Sequence, residues 1–140
     1  MFRSGGAWTG QLNPKGSGRP GNPIVIGMYG EGPKPCINGN GIYGSKAGAV
    51  LLFNQDYWEI GNLNISNKSA SYDGEKRFGI LVRWHDYGTG QQVHINNCQI
   101  HDVSGSMKGR FNGEAILVVA TGSVKSLPMP ECGPIIPIMP

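Results

Sequence analysis

Two histidine–aspartate dipeptides, His85-Asp86 and His101-Asp102, are the residues best suited to acid–base chemistry in this sequence. A histidine beside a carboxylate can take up and release a proton near neutral pH. Because neighbouring side chains on an extended segment point apart, neither dipeptide is predicted to form a dyad by itself. Both are also explained as residues that cap a turn. The predicted catalytic candidates are Arg83, His85, Asp86 and His101.

Basic residues form a second group that could bind a ligand, because most of them fall in two predicted loops. If those loops stack on one side of the fold, their cations line one edge and suit a polymer that carries carboxylates. Ordinary solvated charge is the alternative interpretation. The one aromatic member of the group could stack on a sugar ring or pack beneath the loops. The predicted substrate-binding residues are Lys68, Lys76, Arg77, Arg83, Trp84, Lys108 and Arg110.

Several function classes lack their sequence signatures here. The net charge of the 140 residues is only +3, and no nucleic-acid partner is predicted. No Gly-rich phosphate loop, GxSxG or HExxH motif occurs, so no cofactor and no metal site is predicted. The three cysteines include no CxxC pair and form no closed disulfide framework. No apolar run approaches the ~18 residues of a membrane span and no secretory signal is visible, so no membrane partner is predicted.

A repeat sets the elements that must position these residues. Residues 58–67 read WEIGNLNISN, and residues 93–102, 35 positions later, read VHINNCQIHD. The apolar positions of the two stretches coincide, and Asn62 falls on Asn97. A period of this size made only of short strands is typical of repeat architectures.

A second piece of the repeat precedes each copy and then returns a third time. It reads VLLF at 50–53, ILVR at 80–83 and ILVV at 116–119. Strands this short cannot form a sheet alone, whereas stacking each coil on the next pairs every strand in parallel with its equivalent. The sequence therefore predicts an all-β parallel β-helix, a solenoid of about three and a half coils, incomplete at its C-terminal end.

The stacking makes definite predictions about the interior. Asn62 and Asn97 should stack at one corner, because asparagine tolerates the left-handed backbone that a sharp corner needs. The predicted inward columns are Val50/Ile80/Ile116, Leu52/Val82/Val118, Ile60/Ile95, Leu63/Cys98 and Ile65/Ile100.

The chain resembles the N-terminal part of the right-handed parallel β-helix proteins of the pectate-lyase-like superfamily, above all secreted bacterial members that degrade polysaccharides. The matching stretches are GGAWTGQLNPKGSGRPGNPIVIGMYGEG, WEIGNLNISN and VHINNCQIHDVSG, and the resemblance spans residues 5–124. It implies a right-handed coil and a sugar groove along the outer face of the strand that ends at Arg83. Lyases of the superfamily use a Lys or Arg base, and Arg83 matches its location only. The resemblance brings in Ca²⁺ as an alternative by analogy, but no motif supports it, because no loop of this sequence concentrates oxygen ligands.

The chain divides into three predicted parts. Residues 1–22 match the cap that covers the first coil, residues 23–125 form the coils, and residues 126–140 form an irregular tail. The tail is rich in proline, which cannot join a regular ladder, and it departs from the superfamily's pattern. The last coil is therefore predicted to be open at its end, where exposed strand edges favour self-association.

Function follows from the resemblance by analogy. The chain is predicted to be a fragment of an extracytoplasmic protein, either secreted or at the cell surface or in the periplasm, that acts on an anionic polysaccharide. The reaction would be that of a lyase or a glycoside hydrolase, although these coils hold no complete acid–base set. The alternatives are a non-catalytic module that binds glycans or mediates adhesion, and a structural fragment without activity.

Overall fold

The computed structural model describes residues 1–109 and 112–123, and within them every regular element is a β-strand. This agrees with the predicted all-β class. Within the described part of the chain, no helix is long and apolar enough to cross a membrane. The strands are β1 (Phe2–Arg3), β2 (Ala7–Thr9), β3 (Ile24–Ile26), β4 (Met28–Tyr29), β5 (Cys36–Asn38), β6 (Gly48–Phe53), β7 (Trp58–Gly61), β8 (Asn64–Asn67), β9 (Arg77–His85), β10 (Val93–Asn96), β11 (Gln99–Val103) and β12 (Gly113–Thr121).

Three parallel sheets are built from strands that recur along the chain. Sheet A contains β3, β7 and β10, sheet B contains β2, β5, β8 and β11, and sheet C contains β6, β9 and β12. A separate parallel pair joins β1 to β4. From β5 onward the chain passes through the sheets in a fixed order, and each strand pairs with its equivalent one repeat later. This arrangement is consistent with the predicted parallel β-helix.

The pairing register confirms the inward columns. Strand partners across the sheets are Ile60/Ile95, Ile65/Ile100, Val50/Ile80/Ile116 and Leu52/Val82/Val118. The remaining predicted partners, Leu63 and Cys98, both pack in the same core. Apolar side chains from all three sheets thus meet in one interior, which the period-2 alternation of the short strands dictates.

The predicted asparagine corner is present. Asn62 and Asn97 both have left-handed backbones, with φ of 57° and 47°. The Asn97 Nδ2 donates to the Asn62 Oδ1 at 2.5 Å, so the two amides stack from one repeat to the next. The corner lies at the surface, because Asn97 is exposed.

The segment predicted as a cap contributes strands of its own. Strand β2 pairs in parallel with β5, and Leu12 forms a parallel bridge with Val50 of sheet C. Phe2 and Trp8 pack edge to face at this end, with ring centroids 4.7 Å apart. The N-terminal residues therefore extend the sheets as well as covering them, and the boundary at residue 22 stays a prediction.

Alternation breaks at one position of the central strand of sheet C. The pairing of β9 with both neighbours skips Gly79. Phe78 belongs to an outer apolar cluster, whereas Ile80, two residues later, faces the inner core. A Cβ on Gly79 would lie 2.4 Å from the Ile100 Cγ2 and 2.5 Å from the Ala115 carbonyl oxygen. Glycine fits here because neighbouring strands approach the backbone closely.

Asn67 ties the loop before β6 to sheet C. Its side-chain Nδ2 lies 3.0–3.1 Å from the carbonyl oxygens of Ile42, Ala47 and Phe78. The residue is fully buried. One amide thereby hydrogen-bonds carbonyl groups of the loop before β6 and of strand β9. These bonds hold that loop against the outer face of sheet C.

The last described strand of sheet C has an uncovered face. Ile116 and Val118 are 42% and 55% exposed, whereas Ile80 and Val82, their equivalents one repeat earlier, are 0% exposed. Within the described residues, the two inward columns of sheet C therefore end in solvent-exposed side chains at β12. The predicted tail, 126–140, lies outside the residues that the structure describes.

Candidate functional site

An open groove of about 260 Å³ lies on the outer face of sheet C. Apolar side chains form its floor, and polar or charged groups stand at its margins. The residues that line it are Ser45, Lys76, Phe78, Leu81, Arg83, Leu117, Val119 and Thr121. The sequence places a groove along this strand only through the superfamily resemblance, and the structure has a cleft on that face.

The groove exists because the strands of sheet C are apolar on both faces. On β9, Ile80 and Val82 fill the inner core, and Leu81 between them points outward into the second apolar cluster. Leu117 and Val119 continue that outward strip on β12. A floor of this kind suits the C–H faces of a sugar ring, provided that polar groups nearby meet its hydroxyls.

Arg83 supplies a fixed cation at one end of this floor. Its Nη1 donates to the Ser45 carbonyl oxygen at 3.0 Å, and its Nε donates to the Thr121 Oγ1 at 3.3 Å. Lys76 lines the same groove. A further cation lies nearby, since the Lys46 Nζ is 3.9 Å from the centre of the Phe53 ring, and Phe53 pairs with Arg83.

His85 lies on the same outer face, opposite Thr121 in the strand register. Its Nδ1 is 2.8 Å from the Thr121 Oγ1, and its Nε2 is 3.4 Å from the Asp86 Oδ2. The prediction that His85 and Asp86 point apart is wrong, because Asp86 has a left-handed backbone with φ of 49°. Hydrogen bonds from Ser123 hold the pKa of Asp86 below its ordinary value.

His101 and Asp102 also meet, for the same reason. The His101 Nδ1 is 2.8 Å from the Asp102 Oδ2, and Asp102 has φ of 50°. The other ring nitrogen, Nε2, is 2.7 Å from the Asn64 Oδ1. The hydrogen bond with His101 lowers the pKa of Asp102. This pair lies on the exposed outer face of sheet B and does not line the groove.

Arg77, predicted to bind substrate, is instead part of the protein's interior. Its side chain is 2% exposed and its Nη2 lies 2.6 Å from the Asp73 Oδ2. Its Nε donates to the Gly41 carbonyl oxygen at 2.9 Å, and a second guanidinium nitrogen donates to Asp73 at 2.7 Å. The guanidinium therefore holds two loops together and does not reach the groove.

The Arg77–Asp73 pair predicts a specific acid sensitivity. Hydrogen bonds from Arg77 hold the pKa of Asp73 well below its ordinary range, so the folded protein favours the charged carboxylate. A lowered folded-state pKa gives stability that is present above about pH 4 and is lost as the pH falls below it. We expect Asp73→Asn to be less stable than wild type at pH 7, with the difference shrinking toward pH 2. Chemical unfolding at several pH values measures this, and a difference that does not change with pH would contradict it.

The other predicted binding residues lie outside the groove. Trp84 packs against the inner core, and its Nε1 donates to the Asp56 Oδ1 at 2.9 Å. Lys68 and Lys108 are exposed, but neither lines the groove. Arg110 lies outside the residues that the structure describes. Among the described cations that were predicted to bind substrate, Lys76 and Arg83 line the groove, whereas Lys68, Arg77 and Lys108 do not.

Sequence reasoning missed the apolar floor, Ser45 and Thr121. The signal for Thr121 was available, because extending the repeated pieces at 80–83 and 116–119 by two positions pairs Thr121 with His85. The outward leucines were also visible in the apolar runs of the repeat. Ser45 comes from a loop that no repeat fixes, so it had no sequence signal.

The described part of the chain contains no cluster of side chains that could bind a metal ion. Among residues 1–109 and 112–123, no three His, Cys, Asp or Glu side chains are grouped so that they could hold a metal ion. The groove's own chemistry is thus that of an arginine, a lysine, two hydroxyls and, at its end, an imidazole beside a carboxylate.

The fold and groove define a class: an all-β protein of stacked parallel sheets with an open cleft on one outer face. No family model and no curated protein matches the chain. Among solved structures, it is similar to the GH136 lacto-N-biosidase from Eubacterium ramulus. The selenomethionine form of that enzyme superposes with a TM-score of 0.75 at 28% identity, over 89% of this chain. The native form gives a TM-score of 0.70 at 26% identity, over 86%.

The match spans only part of that enzyme. This chain covers 24% of the length of each of the two lacto-N-biosidase structures. The similarity therefore concerns one section of a much longer glycoside hydrolase.

Proposed function

We propose that this chain is part of a carbohydrate-active β-helix protein and that the groove on sheet C binds a glycan. The observation that carries the proposal is the groove itself, an apolar floor flanked by Ser45, Arg83 and Thr121. The similarity to a lacto-N-biosidase supports it, because that enzyme is a glycoside hydrolase.

The groove's composition fits a sugar better than a purely apolar ligand. Leu117 and Val119 offer a partly exposed apolar strip beside the buried Leu81, while Arg83 presents donors in a fixed direction because two of its nitrogens are already hydrogen-bonded. A guanidinium held in this way loses little conformational freedom when it binds a ligand. This pattern of one apolar surface and a few directed polar groups is typical of small-molecule sites.

An anionic glycan is our finer proposal. Lys76 and Arg83 both line the groove, and their charges attract a carboxylate or sulfate on a sugar. The whole protein would act outside the cytoplasm, as a lyase or a glycoside hydrolase.

We extend this proposal to the architecture that sequence reasoning predicted. The chain would form about three and a half coils, wound in the right-handed sense of the pectate-lyase-like superfamily. Its open end, formed by β10, β11 and β12, would associate with a further coil or a second molecule.

The test is glycan binding with charge-matched variants. We expect polygalacturonate to bind wild type more tightly than a neutral glucan does, and to bind less tightly as salt rises. The double variant Lys76→Ala with Arg83→Ala should lose roughly three- to tenfold in affinity, as expected for two partly exposed charge contacts. Isothermal titration calorimetry or affinity electrophoresis provides the measurement.

The control removes the same charge elsewhere. Lys68→Ala with Lys108→Ala deletes two exposed cations that do not line the groove, so its affinity should match wild type. If both double variants lost affinity for polygalacturonate equally, the effect would come from the total charge of the protein, and the proposal that the groove binds an anionic glycan would be overturned. If a neutral glycan bound tightly and this binding depended on Arg83, the proposed glycan site would be supported and its preference for anionic glycans would be overturned.

A non-catalytic binding module is the second candidate function. The observation that favours it is the floor of the groove, where the described residues contribute no acidic side chain. Reducing-end and unsaturated-product assays on bound glycans separate the two candidates. Binding without turnover would assign this section to recognition.

A further inference from the structure

Thr121, His85 and Asp86 form a connected chain at the end of the groove. The Thr121 Oγ1 is 2.8 Å from the His85 Nδ1, and the other ring nitrogen, Nε2, is 3.4 Å from the Asp86 Oδ2. A hydroxyl beside an imidazole that a carboxylate orients is the arrangement of an activated oxygen nucleophile. Such a set is recognised by the geometry of its hydroxyl, imidazole and carboxylate, because the same three groups recur on unrelated folds.

We propose that these three residues form a hydrolytic site that removes acyl groups from an O-acylated glycan. The ester chemistry stands on the three side chains alone, whereas the glycan part rests on the function proposed above. Thr121 lines the groove, so a sugar bound on the apolar floor would carry its substituents toward this hydroxyl.

The strand geometry holds the nucleophile and the base in place. His85 and Thr121 are register partners on β9 and β12, so both side chains leave the same face of sheet C. Asp86 is held by two hydrogen bonds from Ser123, one of them from the backbone amide at 2.6 Å. In the tautomer that this site requires, the ring proton lies on Nε2, toward Asp86, and Nδ1 accepts the hydroxyl proton. The His85 Nδ1 is the nearer acceptor for that hydroxyl, at 2.8 Å against 3.4 Å for the Trp84 carbonyl oxygen.

Arg83 places a positive charge beside the nucleophile. Its Nε donates to the Thr121 Oγ1 at 3.3 Å, which favours the alkoxide character that this oxygen gains as its proton passes to His85. The side chains of His85 and Asp86 are 36% and 45% exposed, which leaves the site open to water and to a polymer.

The reaction balances with water as the second reactant. The Thr121 Oγ forms a bond to the acyl carbon while its proton passes to the His85 Nδ1. The bond between the acyl carbon and the sugar oxygen then breaks, and that oxygen takes the proton from His85. Water attacks the acyl-threonine and loses a proton to His85. The bond between the acyl carbon and the Thr121 Oγ then breaks, that oxygen takes the proton back from His85, and the carboxylic acid leaves.

The experiment measures release of p-nitrophenol from p-nitrophenyl acetate and of acetate from acetylated xylan. Thr121→Val keeps the shape of the side chain and removes the hydroxyl, so the rate should fall about 10²–10⁴-fold toward background. Thr121→Ser should retain activity, and His85→Gln should lose it. Thr9→Val, which removes an exposed hydroxyl on sheet B, is the control for nonspecific hydrolysis. Mass spectrometry of the acetylated protein should locate the acetyl group on Thr121 in wild type.

The outcomes separate this inference from the proposed function. Glycan binding together with equal ester hydrolysis by wild type and a folded Thr121→Val would overturn the hydrolytic site and leave the glycan groove. Ester hydrolysis that depends on Thr121 and His85, without binding to any glycan, would support the hydrolytic site and remove its glycan substrate.

Discussion

Replacing Asn67 by Asp should destabilise the protein by about 3–5 kcal/mol at neutral pH, because the new carboxylate would be a buried charge without a partner. The Asn67 Nδ2 now donates toward three carbonyl oxygens, those of Ile42, Ala47 and Phe78. A carboxylate there would face the same oxygens with no hydrogen to offer, and Asn67 is 0% exposed. Burial would raise the pKa of the introduced Asp, so the loss should grow as the pH rises above about 4.

Urea unfolding at pH 4 and pH 7 measures this effect. The matched control is Asn40→Asp, the same change of atoms at an exposed residue whose backbone is left-handed, with φ of 56°. Asparagine and aspartate both tolerate that conformation, so the control should stay close to wild type. If the two variants were equally stable, the amide of Asn67 would not be a structural link between loop and sheet.

Gly79→Ala is the second substitution with a large expected effect, a loss of about 1–3 kcal/mol through overpacking. The added methyl group would lie 2.4 Å from the Ile100 side chain and 2.5 Å from the Ala115 carbonyl oxygen. The second contact is with backbone on the neighbouring strand, so relief requires β12 to move away from β9. Thermal and urea unfolding, compared with wild type, give the measurement.

Gly27→Ala is the control for this substitution. Gly27 is also buried, but a methyl group there would lie 3.5 Å from the flexible end of Met1 and 3.9 Å from the Gly61 carbonyl oxygen, which are ordinary van der Waals contacts. It should therefore cost much less than Gly79→Ala. A Gly79→Ala protein of wild-type stability would mean that sheet C accommodates the methyl group by a small shift of strands.

The interior of this fold could be predicted from sequence because the repeat aligns equivalent residues. Once Ile60 was placed on Ile95, parallel pairing and the inward columns followed, and the register agrees with them. The break in alternation at Gly79 could not be predicted in this way. It depends on how closely Ile100 of sheet B approaches the backbone of sheet C, which no local pattern encodes.

The candidate site was predictable only in part, for a related reason. Alternation along an extended strand correctly places Arg83 on the outer face, but it fails at Asp86, where one left-handed residue turns the carboxylate toward His85. Loop residues have no register to fix them. Arg77 is predicted to bind a ligand as a loop residue, but it begins β9 and its guanidinium is bound to Asp73.

The parallel pairing has a consequence for how the chain folds during synthesis. Strand partners such as Ile60 and Ile95 are 35 residues apart, so a sheet can grow only after a whole further repeat has left the ribosome. Contacts of this range slow folding, because the loop between them must close first. The N-terminal strands would then serve as the template on which each later repeat settles, and folding would proceed in the order of translation. Substitutions in β2 or β5 should accordingly slow folding more than equal losses of stability in β12.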